Sequence, residues 1–196
     1  ALGTKEIVTN KRGSGPAIAT SLHIATYGPW FAPGEEIPRG VFADLVQNGD
    51  TVRIFNVHLQ SVGLEGDDYE AVREGPDSEQ RKRLFSTLSA AYVTRASQAR
   101  ALREELDKSP YPVILLGDFN DTPVSFALST LKASETWPLF DAFSKGGEGL
   151  GSTYVGDVSG LRIDYILYSK RFELHSFHTY PVELSDHRPI SAVFSY

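Results

Sequence analysis

The sequence predicts an α+β fold built mainly on antiparallel strands, and three observations predict it. Short runs rich in β-branched and aromatic residues outnumber helical patterns. Two such runs flank Gln47-Asn48-Gly49-Asp50, and Asn-Gly between β-like runs is a strong hairpin signal. One long helical pattern and one short one are too few to alternate with the strands, as a doubly wound parallel sheet would require. No internal repeat, low-complexity tract or linker divides the 196 residues, so residues 1–196 are expected to form one domain.

Ala1 to Gly15 is polar and rich in Lys, Asn and Gly, and reads as a hairpin or loose arm. A strand is expected over Ala17–Ile24, followed by a turn-rich stretch with Gly28, Pro29, Pro33, Gly34 and Pro38. The hairpin joins Val41–Val46 to Thr51–Leu59. Val62 to Pro76 reads as an acidic loop. Leu84, Phe85, Leu88, Tyr92, Ala96, Ala99, Leu102 and Leu106 recur at helical spacing, predicting a helix over about Glu79–Lys108. Asp77 or Ser78 can cap its start, and Pro110 stops it. A strand over Pro112–Leu116, a helix around Ser125–Lys132 and a loop with four glycines over Lys145–Ser152 come next. Strands over Leu161–Tyr168 and Pro189–Phe194 close the chain, with another expected at Glu173–Tyr180.

Composition narrows the chemistry. The absence of Cys excludes disulfides, thiolate metal sites and a cysteine nucleophile. A net charge of −6 leans away from long nucleic acid held by bulk charge, but leaves room for a local phosphate pocket. No apolar run approaches the length of a membrane span, and no signal-peptide pattern opens the chain, so a soluble protein is expected and its compartment is unreadable. The first residue is Ala and Met is absent, which fits a processed or trimmed chain or a fragment.

Polar residues collect at strand ends. In Gly117-Asp118-Phe119-Asn120 a carboxylate and a carboxamide leave an apolar strand on the same side, two residues apart. A turn is the competing reading, because Gly-Asp and Asn-Asp are common turn pairs. In Thr51–Gln60 the face begun by Val52 and Ile54 turns polar as Asn56, His58 and Gln60, either entering a site or simply becoming wet. Asp164 sits among strong β-formers, with Arg162 on the same face and able to pair with it. Ser185-Asp186-His187 places a hard oxygen donor beside a titratable base, although a turn with a local hydrogen bond accounts for it equally well. Together these carboxylates, the carboxamide and two histidines suit Mg²⁺ or Mn²⁺ and phosphoryl transfer to water.

The pieces Asn56-Val57-His58-Leu59, Gly117-Asp118-Phe119-Asn120, Arg162-Ile163-Asp164-Tyr165 and Ser185-Asp186-His187 resemble, in order and spacing, the motifs of the endonuclease/exonuclease/phosphatase superfamily. The long helix with Arg95 and Gln98 ahead of Gly117 fits as well. The resemblance implies a four-layered α/β sandwich with two mostly antiparallel sheets flanked by helices. It also implies divalent-metal-dependent hydrolysis of phosphate esters. His187 would be the general base or hold the phosphate, and Asp164 would orient it. Asp118 would position water or join Asp186 at the metal, while Asn120 and His58 would contact the phosphate. Gln60 and Arg95 are further expected substrate contacts. The family's Asn strand and metal-binding Glu precede a strand that here reads Gly15-Pro16-Ala17-Ile18, so the chain is expected to correspond to the C-terminal two thirds of the fold. Self-association through an exposed sheet edge is then expected. Substrates in the superfamily range from nucleic acids to phospholipids and small phosphate esters. The alternative is an inactive relative or fragment serving as a phosphate-binding or interaction module.

Overall fold

In the computed structural model, residues 6–9, 15–64, 68, 71, 73–156, 160–182 and 184–196 are described. Among them the chain forms ten strands: β1 (Glu6–Thr9), β2 (Ala17–Thr20), β3 (His23–Trp30), β4 (Gly40–Gln47), β5 (Asp50–His58), β6 (Val113–Asp118), β7 (Leu139–Asp141), β8 (Asp164–Ser169), β9 (Glu173–Thr179) and β10 (Ile190–Ser195). Helices α1 (Ser78–Asp107), α2 (Phe126–Lys132) and α3 (Ala142–Gly146) accompany them. A six-stranded sheet in the order β3-β4-β5-β6-β8-β7 is the centre of the fold, and β1-β2 and β9-β10 form two further two-stranded sheets. This is the mixed α+β architecture expected from the sequence.

The predicted hairpin forms between β4 and β5. Asn48 (φ 54°) and Gly49 (φ 91°) both take positive φ, as a tight hairpin turn of the right twist requires. One ladder departs from the antiparallel expectation: β5 and β6 run parallel. A parallel pair needs a long crossover, and α1 supplies it. Asp77 caps α1 by accepting from the N–H groups of Glu79 and Gln80, both at 2.8 Å. Gln80 returns a bond to the Asp77 N–H at 2.9 Å, completing a capping box.

One face of the large sheet packs on the helices. Phe55, Val57, Val113, Leu115, Tyr165 and Leu167 meet Ala99, Leu102 and Leu106 of α1 and Ala127, Leu128 and Leu131 of α2. The other face is covered at its two ends. Val8 and Ile18 of β1-β2 cover Val41, Ala43 and Leu45, while Phe177, Ala192 and Phe194 of β9-β10 pack on Ile166 and Tyr168.

Several elements differ from the sequence expectation. The Ala17–Ile24 strand splits in two, and β3 runs on through Gly28 and Pro29. Proline is tolerated there because β3 is a sheet edge. Asp68, Ala71, Arg73 and Glu74 are helical where an acidic loop was expected. Residues 65–67, 69, 70 and 72 of that loop, and most of the N-terminal arm, lie outside the described residues. On α1, Phe85 and Tyr92 are exposed, whereas Arg95 and Gln98 are buried. Strand β8 begins only at Asp164, so Arg162 lies outside it. Arg162 pairs with buried Asp141 at 2.9 Å rather than with Asp164. Strand β7 and helix α3 had no clear sequence signal. Among the described residues no helix is long and apolar enough to cross a membrane.

Candidate active site

Three neighbouring strands deliver the site in register. His58 ends β5, Asp118 ends β6 and Asp164 opens β8; His58 stands opposite Asp118, and Asp118 opposite Asp164. All three positions fall on the sheet face away from α1, because Phe55, Val57 and Leu115 alternate onto the helix side. His187 arrives from the loop before β10 and is held by an isolated antiparallel bridge to Tyr154. Its Nδ1 lies 2.8 Å from Asp164 Oδ2. Its Nε2 lies 3.9 Å from Asp118 Oδ2, and His58 Nε2 lies 3.6 Å from the same oxygen.

The turn after β6 is shaped for this purpose. Gly117 has φ 131°, a value that side-chain-bearing residues rarely adopt. Asn120 has φ 52°, in the left-handed region that Asn tolerates. That conformation curls Asn120 back. Its backbone N–H donates to Asp118 Oδ1 at 2.8 Å, and its Nδ2 donates to Asp118 Oδ2 at 3.0 Å and to the Leu59 carbonyl at 3.1 Å. Both amide hydrogens are thus engaged, and Asn120 acts here on Asp118. Gly117-Asp118-Phe119-Asn120 is therefore a turn and part of the candidate site at once.

Electrostatics distinguish the two ends of the Asp118–His187 contact. Burial pushes the Asp118 carboxyl above the usual carboxylate value, and the charge of Asp164 adds to this. The Asn120 N–H, His58 and His187 oppose it without cancelling it. For His187, burial acts to lower the value, but the Asp164 hydrogen bond and the charges of Asp164, Asp118 and Asp186 outweigh it. The imidazole is left above its ordinary range.

A cavity of about 380 Å³ opens over these groups. Its polar floor comprises His58, Asp118, Asn120, Asp186 and His187, and Val62, Leu64, Leu161 and Ile163 wall it. Asp186 is exposed at the rim, its Oδ1 accepting from Ser185 Oγ at 2.9 Å. Val62, Gly63 and Leu64 come from the start of the stretch read as an acidic loop.

Gln60 and Arg95, expected as substrate contacts, are absent from the cavity lining. Arg95 is 1% exposed; its Nη1 donates to the Gln60 carbonyl at 2.8 Å and its Nε to Asp121 at 3.2 Å. It braces the strand-end loops from behind. The Gln60 side chain accepts from Arg39 at 2.9 Å, and the Gln60 backbone N–H donates to Gln98 Oε1 at 2.9 Å. Tyr154, which no motif had flagged, lines the cavity edge-on to His187 with ring centroids 5.3 Å apart.

The oxygen donors suit a hard cation in kind, but not in number. Both Asp118 oxygens already accept from Asn120. Among the described residues no group of three His, Cys, Asp or Glu is arranged to hold a metal ion. The described side chains do not by themselves form a Mg²⁺ or Mn²⁺ cage.

The family model described as "Endonuclease/Exonuclease/phosphatase family" matches residues 4–187. Solved structures resemble the fold. A 3′ phosphatase from Neisseria bound to product DNA hairpin is 22% identical, with a TM-score of 0.60 over 92% of this chain and 74% of that one. A mannosyl-6-phosphatase from Bacteroides thetaiotaomicron is 18% identical, with a TM-score of 0.58 over 92% and 70%. The human Nocturnin catalytic domain with bound sulfate anion is 18% identical, with a TM-score of 0.61 over 89% and 60%. A comparison with curated protein sequences found no match.

Proposed function

Because the chain belongs to the endonuclease/exonuclease/phosphatase family, we propose that it is a phosphoesterase-type hydrolase in which His187 and Asp118 direct water onto a phosphate ester. The observation that carries this reading is the 2.8 Å His187–Asp164 pair set beside Asp118. With Nδ1 bound to Asp164, His187 keeps Nε2 free to take a proton from water, and Asp164 stabilises the imidazolium that forms. The 3.9 Å between His187 Nε2 and Asp118 Oδ2 is too long for a direct hydrogen bond, so a water or phosphoryl oxygen can bridge the two. Asn120 holds Asp118 in the orientation this needs. His58, with its side chain 52% exposed, is placed to contact the phosphate or the leaving oxygen.

Members of the family generally use divalent metals. Asp118 and Asp186 are the groups that would approach one here, and an ion would add Lewis-acid stabilisation of phosphoryl charge. Because the described donors form no cage, the steps above rest on the chain's own residues.

The test is hydrolysis of bis(p-nitrophenyl) phosphate and p-nitrophenyl phosphate, with Mg²⁺, with Mn²⁺ and with chelator. Turnover is expected, and His187→Ala and Asp118→Ala should each lower kcat by about 10²- to 10⁴-fold. Activity that survives both substitutions refutes the site. The sparse donor set favours a second reading, a phosphate-binding module without turnover. Phosphate binding by calorimetry with no hydrolysis under any ion would establish it.

A further inference from the structure

The dyad of the proposed function joins two remote segments, Asp164 at the start of β8 and His187 ahead of β10. Residues 153–155 tie them together. Thr153 is 1% exposed, and its Oγ1 accepts from the N–H groups of Ile163 and Asp164, both at 3.1 Å. Its carbonyl accepts from the Arg188 N–H at 2.7 Å. The N–H groups of Thr153 and Tyr154 converge on the Leu161 carbonyl, both at 2.9 Å. One residue on, the Val155 N–H donates to the Asp186 carbonyl at 2.8 Å. The main chain on both sides of His187, and that of Asp164 itself, thus bond to one three-residue crosspiece.

We infer that Thr153 is a positioning residue whose hydroxyl fixes the Asp164 main chain and whose carbonyl fixes Arg188, so that the Asp164 carboxylate meets Nδ1 of His187. A hydroxyl oxygen has two acceptor sites, and two buried N–H groups use them here. Valine has nearly the same shape and no acceptor. Both N–H groups would then seek other partners and the start of β8 would shift. Small misplacements of reacting groups cost up to about 10²-fold in rate.

The inference rests on the proposed use of His187, and its test separates the two. Thr153→Val is expected to lower kcat about 10- to 100-fold on bis(p-nitrophenyl) phosphate with KM changed less than about twofold. Thr153→Ser, which keeps the hydroxyl, should stay within about threefold of wild type. In an Asp164→Asn background Thr153→Val should change kcat less than about twofold, because the two act through one contact. Proton NMR reads the same contact without turnover. The far-downfield imidazole N–H signal, assigned to His187 by its loss in His187→Ala, should disappear in Thr153→Val and persist in Thr153→Ser. Wild-type kcat and signal in Thr153→Val overturn the inference. So does loss of the signal in folded Thr153→Ser, a result that stands even if the valine variant does not fold. A wild-type protein without turnover, whose NMR signal follows Thr153 as described, refutes the proposed function and supports the positioning role.

Discussion

Gly117→Ala is the sharpest test of how the sheet builds the site. Gly117 stands opposite Val57 in the parallel β5–β6 ladder and opposite Tyr165 in β8, one residue before Asp118. A Cβ added there falls 2.9 Å from Asn56 Oδ1 and 2.9 Å from the Val57 N, and closer still to the Val57 carbonyl oxygen. Its neighbours are mostly backbone, so they cannot swing aside. The φ of 131° adds strain, since an L side chain at this angle costs about 1–3 kcal/mol. Forcing a methyl group into a packed ladder costs about another 1–3 kcal/mol. Gly117→Ala should therefore lose about 2–6 kcal/mol in urea unfolding followed by circular dichroism. Relief of the clash would also part β5 from β6, moving His58 away from Asp118. A loss below about 1 kcal/mol would show that the approach of these strands is not as tight as described, and would refute the reasoning.

Other substitutions probe separate layers. Arg162 pairs with buried Asp141 and lies over the Phe143 and Tyr165 rings, so Arg162→Met leaves a buried carboxylate unpaired and should cost about 3–5 kcal/mol in the same urea assay. Asp107 ends α1 and clasps the 134–136 turn, accepting from Ser134 Oγ at 2.6 Å and from the N–H groups of Glu135 and Thr136. Burial works to raise its pKa, but these bonds and Arg103 hold it below the ordinary value of 3.8. A carboxyl depressed in the folded state stabilises fully above its unfolded pKa, and that contribution is lost as pH falls through the folded one. Asp107→Ala should thus cost about 1–3 kcal/mol at pH 7, and the gap to wild type should narrow in melts below pH 4. His187 has the opposite sign. Its raised pKa favours the imidazolium when folded, so that contribution is full below the unfolded value near 6.5 and fades as pH rises through the folded one. The rising limb of kcat against pH should accordingly lie above 6.5, because catalysis needs the neutral ring.

Much of the candidate site was legible because its residues sit in short local patterns. Asp118 and Asn120 end an apolar run, His58 ends an alternating strand, and Asp186-His187 precedes one. Alternation alone put His58 on the face opposite Phe55 and Val57. The helix cap at Asp77 and the turn at Asn48-Gly49 were equally legible, since each is fixed by the chemistry of a few adjacent residues. Arg95 and Gln98 illustrate the limit. Arg95, expected at the substrate, lies with Gln98 on the buried face of α1, because their partners Asp121, Glu35 and the Gln60 backbone come from far away in sequence. Exposed Phe85 and Tyr92 misled in the opposite direction.

The sequence by itself determined the chemical inventory: strands ending in carboxylates and histidines, one long capped helix, and no thiol. Tertiary structure alone decided which of these groups meet. Pairing β5 with β6 in parallel and β6 with β8 in antiparallel sets His58, Asp118 and Asp164 side by side, and a shift of one residue in either ladder would turn a side chain to the helix face. It also decided that Arg162 serves Asp141, and that Thr153 clasps both Asp164 and the His187 loop. The physical reason is one of range. Periodicity and capping are local and can be read along the chain, whereas register and buried pairing are set by contacts that exist only once the sheet has formed.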